Sequence, residues 1–188
     1  MIIIPKYKLI FNKKKKIFEV VNIAGCVYCP ECDKQLKYRD SRKRILRKYG
    51  GKKLWVLIRR LKCCNCRRLH TELPDCLAPH KHYEVEVIEN VVDEVIDSDD
   101  MDEDYPCDAT MKRWKKWILD NTSNINAYMK SIGYQVLGLG EELLRSAESI
   151  LERLQEEGEG WLSIILRTIY NSGYFLPSKI ADDTSHDP

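Results

Sequence analysis

The spacing of apolar residues changes once along this chain, near Tyr83. Before that point short apolar runs are separated by turns, which is the pattern of strands. "IFEVVNI" (17–23) is rich in β-branched residues and reads as one strand. "KKLWVLIRRLKC" (52–63) reads as a stronger one, with Trp55, Leu57 and Leu61 on one face and Val56 and Ile58 on the other. Gly50-Gly51 in front of it is a hairpin-turn signal that pairs it with "SRKRILRKY" (41–49). "RRLHTEL" (67–73) follows as a third short strand, closed at Pro74-Asp75.

After Tyr83 the repeat lengthens to three or four residues. Val85, Ile88, Val92, Val95 and Ile96 predict an amphipathic helix, followed by an acidic loop, "DSDDMDEDYP" (97–106). A second helix is expected from Cys107 or Asp108 through "ATMKRWKKWIL", with a separate one over about 122–132. In "EELLRSAESILERLQEE" (141–157), Leu143, Leu144, Ala147, Ile150, Leu151 and Leu154 make one apolar face, ended by Gly158 and Gly160. "WLSIILRTIY" (161–170) is apolar nearly all round, which predicts a buried or partner-facing helix.

These elements predict an α+β protein: a small N-terminal β module over 1–82, which the cysteine spacing below makes a zinc ribbon, a helix-turn-helix-like region over 83–134, a C-terminal helical hairpin over 135–180 and a disordered tail over 181–188. No apolar run approaches the length of about 18 residues that marks a membrane span. The N-terminal apolar stretch is broken by Pro5 and Lys6 and lacks the basic lead of a secretory signal. The expected compartment is the cytoplasm, where grouped cysteines bind metal more often than they form disulfides.

Charge sharpens the division. The formal net charge of +2 hides a basic segment, residues 1–82 with net +16, and an acidic one, residues 83–108 with net −12. A module so basic is a candidate for polyanions, and the acidic stretch either shields it or is a solvated face.

Cysteine spacing supplies the strongest chemical signal. Cys29-x2-Cys32 and Cys63-x2-Cys66 form a four-thiolate set suited to one tetrahedral Zn2+, with the predicted hairpin between the two knuckles. Cys26-x2-Cys29 is also a legal pair; Pro30 inside the Cys29–Cys32 turn favours the latter. Four cysteines complete a metal shell, so the site is structural and leaves no position open for catalysis. Cys64 is then expected to face the ribbon core, Cys76 and Cys107 to be small buried hydrophobes, and His70, His80 and His82 to be surface or strand residues. A redox C-x-x-C would need a βαβ context and would leave the second pair unexplained.

Nine cations fall between residues 37 and 53, among them Arg39, Arg42, Lys43, Arg44, Arg47 and Lys48. On a rigid ribbon they suit phosphate contacts, although a Lys/Arg-rich edge also blocks strand-to-strand aggregation. In the helix after the acidic loop, Met111, Trp114, Trp117 and Ile118 form an apolar stripe that leaves Thr110, Lys112, Arg113 and Lys116 outward. That is the surface a groove-reading helix needs, and equally that of an ordinary amphipathic helix.

"CPEC", "WVLIRRLKCCNCRRLHTELP", "HKHYEVEVIENVVD" and "YPCDATMKRWKKW" together resemble an uncharacterised family of bacterial zinc-ribbon proteins associated with mobile elements. The arrangement, over roughly residues 25–120, is also similar to the N-terminal zinc ribbon plus helix-turn-helix of insertion-sequence transposases. The resemblance implies one structural Zn2+ on Cys29, Cys32, Cys63 and Cys66, and DNA contacts from the helix around Thr110–Lys116. Nothing beyond residue 120 resembles a catalytic nuclease domain. The chain is therefore read as a non-enzyme: a double-stranded-DNA-binding accessory or targeting factor of a mobile element. Its protein partners on this reading are a transposase or its ATPase and a second copy of itself, with no membrane. The alternative is an interaction adaptor that docks an assembly partner through the ribbon and C-terminal helices.

Overall fold

The computed structural model describes residues 1–96, 106–137 and 140–178. The acidic loop from residue 97 to 105 and the expected disordered tail lie outside them. The fold is α+β. Strands β1 (Ile2–Ile4), β2 (Tyr7–Asn12), β3 (Ile17–Asn22), β4 (Leu36–Arg47), β5 (Lys53–Cys63) and β6 (Leu69–Pro74) form one curled sheet. Helices α1 (Val85–Val92), α2 (Asp108–Leu137), α3 (Glu141–Arg145), α4 (Ile150–Glu156) and α5 (Trp161–Asn171) complete it. No helix among the described residues is long and apolar enough to cross a membrane.

The expected hairpin is present and longer than its turn signal suggested, with β4 and β5 paired from Leu36↔Cys63 to Arg47↔Lys53. Gly50 and Gly51 both take left-handed φ (67° and 68°), which a residue with a Cβ adopts only at a cost. Strand β5 is the hub. Its first half pairs in parallel with β3 and its second half antiparallel with β6, while β4 runs along the other edge. The two halves bury opposite faces: Val56 and Ile58 in the first, Leu61 and Cys63 in the second. Trp55, on the Leu61 face, is therefore 51% exposed, because that face becomes core only beyond the β-bulge at Tyr38/Asp40.

Three consecutive isoleucines form β1, parallel to β6, with all three side chains buried. Its backbone is held by α5: Asn171 Oδ1 accepts the Ile3 N–H at 2.7 Å, and Asn171 Nδ2 donates to the Ile3 carbonyl at 2.9 Å. Asn171→Ala removes the partner of both peptide groups and, because the two bonds are only part-buried, is expected to cost about 1–3 kcal/mol in all. Amide exchange at Ile3, measured by hydrogen–deuterium exchange, should accelerate selectively.

Three helical expectations are corrected. Helix α1 stops at Val92: Glu94 takes a left-handed φ of 61°, the Val95 and Ile96 N–H groups both bond to the Asn90 carbonyl, and Val95 is exposed. Residues 108–137 are one continuous helix rather than two. Asn121 and Thr122 do not break it, because their side chains bond back to the Trp117 and Ile118 carbonyls. Residues 141–157 are two short helices rather than one. Lys130 Nζ donates to the Ser146 carbonyl at 2.6 Å, and Asn126 holds Ser149 and the Leu151 N–H, so contacts from α2 take over the backbone groups that a continuous helix would use. Helix α5 settles as buried: Trp161, Leu162, Ile165, Leu166 and Ile169 pack into the same core as Val56, Ile58 and Leu77.

Candidate metal centre and basic cleft

The two C-x-x-C turns meet at the far end of the β4–β5 hairpin. Cys29 and Cys32 lie just before β4, while Cys63 ends β5 and Cys66 lies in the turn to β6. Each turn bends sharply one residue after its second cysteine, where Asp33 and Arg67 take left-handed φ of 54° and 61°. Backbone bonds fix the loops: the Asp33 N–H donates to the Cys29 carbonyl at 2.8 Å and the Cys63 N–H to the Arg68 carbonyl at 3.0 Å. Arg68 ties one knuckle to the other through Glu31, at 2.6 Å.

The four sulfurs all lie within 4.8 Å of one another, with Cys29–Cys66 at 3.6 Å and Cys32–Cys63 at 3.5 Å. Metal–sulfur bonds of about 2.3 Å in a tetrahedron put the sulfurs about 3.8 Å apart, so this cage fits one metal ion. Cys29 and Cys63 are 2% and 0% exposed, and Cys32 and Cys66 form the outer wall. Electrostatics agree. Hydrogen bonds from the Asn65 side chain and the Lys34 backbone pull the Cys32 thiol down to about 6. The Arg68 backbone N–H draws Cys66 the same way, yet burial and the neighbouring sulfurs push it up to about 12. Thiols this close do not all ionise together unless a cation shares them.

His70, a strand residue of β6 as expected, also borders this centre. It is 4% exposed on β6, and its Nε2 lies 3.4 Å from Cys29 Sγ. Nδ1 is buried without a partner. That asymmetry favours the tautomer whose Nε2–H donates to the Cys29 sulfur, since a bare lone pair costs less to bury than an unpaired N–H. Burial also keeps the ring neutral by lowering its pKa. Asn65 and His70 both support thiolates, and neither carries a spacing signal.

The other cysteines depart from expectation. Cys64 is exposed, because it follows Cys63 and projects away from it. Cys107 is also exposed, 3.3 Å from Thr110 Oγ1 at the start of α2, and Cys76 is half-buried. Cys26 lies outside the cluster, exposed and accepting a hydrogen bond from Gln35 at 3.1 Å.

The basic residues divide by what they touch. Arg39, Arg42 and Lys43 are exposed on β4. Arg44 is half-buried and donates to the Lys81 carbonyl, Arg47 lies over the Tyr83 ring at 5.4 Å, and Lys48 pairs with the nearly buried Glu84 at 2.9 Å. These three pin the segment after β6 to the edge of β4. On α2, Met111, Trp114, Trp117 and Ile118 are buried as the stripe requires. Lys112 pairs with Asp108, Lys116 with Asp120, and Arg113 bonds Thr110 Oγ1 at 2.9 Å. Such exposed pairs are weak and readily exchanged.

Two cation-lined depressions result. One of about 390 Å³ lies over the second knuckle, among Lys37, Arg39, Lys62 and Arg67. The other, of about 1120 Å³, separates the segment after β6 from α2, and Arg47, Thr110, Arg113 and Lys116 all line it. Residues from the basic hairpin and from the Arg-Trp helix, far apart in sequence, thus share one cleft.

Comparison with known proteins adds one match. A family model described as a domain of unknown function (DUF6431) covers residues 29–114, from the first cysteine of the cage to Trp114 in the cleft wall. No curated protein and no solved structure matches the chain.

Proposed function

We propose that this chain is a DNA-binding protein built on a structural zinc centre, with the β4–β5 hairpin and its two knuckles as a zinc ribbon and α2 as the groove-reading helix. Zinc is the favoured ion because four thiolates in a closed tetrahedron suit a borderline-soft cation that needs no open position. The observation that carries the DNA reading is the convergence of Arg47, Thr110, Arg113 and Lys116 on one cleft, with Arg39, Arg42 and Lys43 exposed beyond it. Phosphate contacts from the ribbon give affinity and register, and Arg113 supplies base readout once it exchanges Thr110 for a base edge. Helix α1 stands as the first helix of a helix-turn-helix-like pair. A role as accessory or targeting factor of a mobile element, with a transposase or its ATPase as partner, rests on the resemblance of residues 25–120 described above.

Duplex affinity is expected to fall steeply with salt, and Arg42→Ala with Lys43→Ala to lower the log–log slope by about 2. Arg113→Ala should cost sequence preference more than total affinity. A gel-shift series across salt concentrations checks both. Binding that ignores salt, or no binding at low salt, rejects the reading.

The adaptor alternative draws support from the exposed apolar residues Ile10, Phe11 and Trp55 on the sheet. Helix α5 adds little to it, since its apolar residues other than Ile164 are consumed by the core. Recovery of one stoichiometric protein partner without nucleic acid would favour the adaptor.

A further inference from the structure

The run His80-Lys81-His82 follows the buried Ala78 and Pro79 and is clamped from outside. Arg44 donates to the Lys81 carbonyl, and the Arg47 N–H to the His82 carbonyl at 2.7 Å. His80 takes a left-handed φ of 60°. The clamp sets the Lys81 ammonium 3.9 Å above the centre of the Trp117 ring, at the wall of the large cleft. Trp117 is itself fixed, 4% exposed with its Nε1–H donating to the Pro177 carbonyl at 2.9 Å.

Lys81 is half-buried, and no carboxylate or hydrogen-bond acceptor pairs with it among the described residues. Burial alone lowers its pKa to about 8. A ring face offsets only a small part of the cost of desolvating a cation, so an ammonium held this way lacks its natural counter-charge. Among the described residues, Arg47, His80, His82 and Arg113 line the same cleft, with burial favouring the neutral form of His80, and the carboxylate that joins them, Asp120, is already bound to Lys116.

We propose that this cleft is a phosphate-binding site, with Lys81 as its anchoring cation and Arg47 and His80 completing the donor set, and with Arg113 joining them for a small phosphate that brings no base edge to compete for it. Several donors of different geometry on one concavity suit a tetrahedral oxyanion with three or more acceptor oxygens; a carboxylate is satisfied by a single Arg fork. The source of the phosphate, a nucleic-acid backbone, rests on the DNA reading above, whereas the phosphate chemistry rests on the cleft itself.

The test uses the full metal-loaded chain and two probes, pyrophosphate followed by tryptophan emission and a labelled 16-base-pair duplex followed by anisotropy. Wild type should show saturable quenching with pyrophosphate. Lys81→Gln, which keeps the stem over Trp117, should weaken both probes by about tenfold or more, the scale of one charge-assisted hydrogen bond. Lys81→Arg should recover part of the loss, and Lys14→Gln, on the exposed β2–β3 turn, should change nothing. Arg113→Ala, on an exposed helix face, gives a second variant whose folding is not in question and should weaken pyrophosphate several-fold.

Pyrophosphate binding unaffected by Lys81→Gln and Arg113→Ala, no saturable binding by wild type, or an oligoglutamate peptide binding as tightly as pyrophosphate each overturn the site. Lysine-dependent pyrophosphate binding without duplex binding keeps the site and rejects the DNA reading. Salt-sensitive duplex binding indifferent to Lys81 does the reverse.

Discussion

Cys63→Ser is expected to abolish binding of one metal ion per chain and to lower stability by about 4 kcal/mol or more. Structural thiolate sites contribute about 10–16 kcal/mol to the folding of small zinc domains; here the sheet retains a core of its own, so part of the fold outlives the metal. The loss is large because Cys63 is 0% exposed and ends β5, the strand that pairs with β3, β4 and β6. Without the ion, the remaining thiols and His70 sit in a buried polar pocket with nothing to share, and the ends of β5 and β6 fray together. For a chain of this size the melting temperature should fall by about 8–16 °C. Elemental analysis and calorimetry check the two arms. Cys26→Ser and Cys64→Ser, both exposed and outside the cage, should keep the metal and the melting temperature. Metal loss in Cys26→Ser would instead restore the alternative pairing of Cys26 with Cys29.

Glu89→Ala is expected to be the most damaging substitution away from the metal centre. The Glu89 carboxylate is 3% exposed on α1 and caps α5 across the core, accepting from the Gly160 N–H and, at 2.9 Å, from the Leu162 N–H. Alanine strands two N–H groups at the start of a buried helix, at about 1–3 kcal/mol each, and opens a cavity. A total of about 3–5 kcal/mol should appear as a fall of roughly 6–20 °C in melting temperature. Burial raises the Glu89 pKa above 4.5 despite those two bonds, with Asp93 and Glu159 adding to the rise. The folded state therefore holds this proton more tightly than the unfolded chain. The associated stability is fully present below pH 4.5 and is lost as pH rises through the elevated value. Glu89→Gln, which cannot ionise, should remove that part of the pH profile while keeping one acceptor, measured by urea melts from pH 4 to 8.

Where chemistry was local, it was readable from the sequence. A C-x-x-C turn is specified by its own few residues, and the alternation of β5 with a glycine pair before it defines a hairpin without outside help. The features that escaped depend on partners distant in the chain. Nothing about His70 marks it as the neighbour of Cys29; pairing with Leu61 in the β5–β6 ladder puts it there. The apolar repeat over 141–157 is genuine, yet Asn126 and Lys130 of α2 capture its backbone. One signal was available: Ser149 followed three residues later by Glu152 is a capping sequence, and Ser149 Oγ does accept the Glu152 N–H. The polar run Asp120–Asn124 resembled a break because Asn and Thr compete for backbone bonds, but within a packed helix they bond to its carbonyls instead. Lys81 escaped for a third reason. A lysine between two histidines signals a surface loop, and only the clamp from β4 turns it over an aromatic ring.

The parallel joint between β1 and β6 carries a consequence for the order of assembly. The β4–β5 and β2–β3 hairpins close over short loops, whereas β1 meets a strand that begins at Leu69 and a side chain 168 positions away in α5. Closing such long loops is entropically slow, and nothing rewards it until both partners are in place. The isoleucine strand is thus expected to dock last, with its contacts acting mainly on the rate at which the finished protein comes apart. On that expectation Asn171 is a latch on the final step, and Asn171→Ala should shorten the lifetime of the native state more than it slows folding.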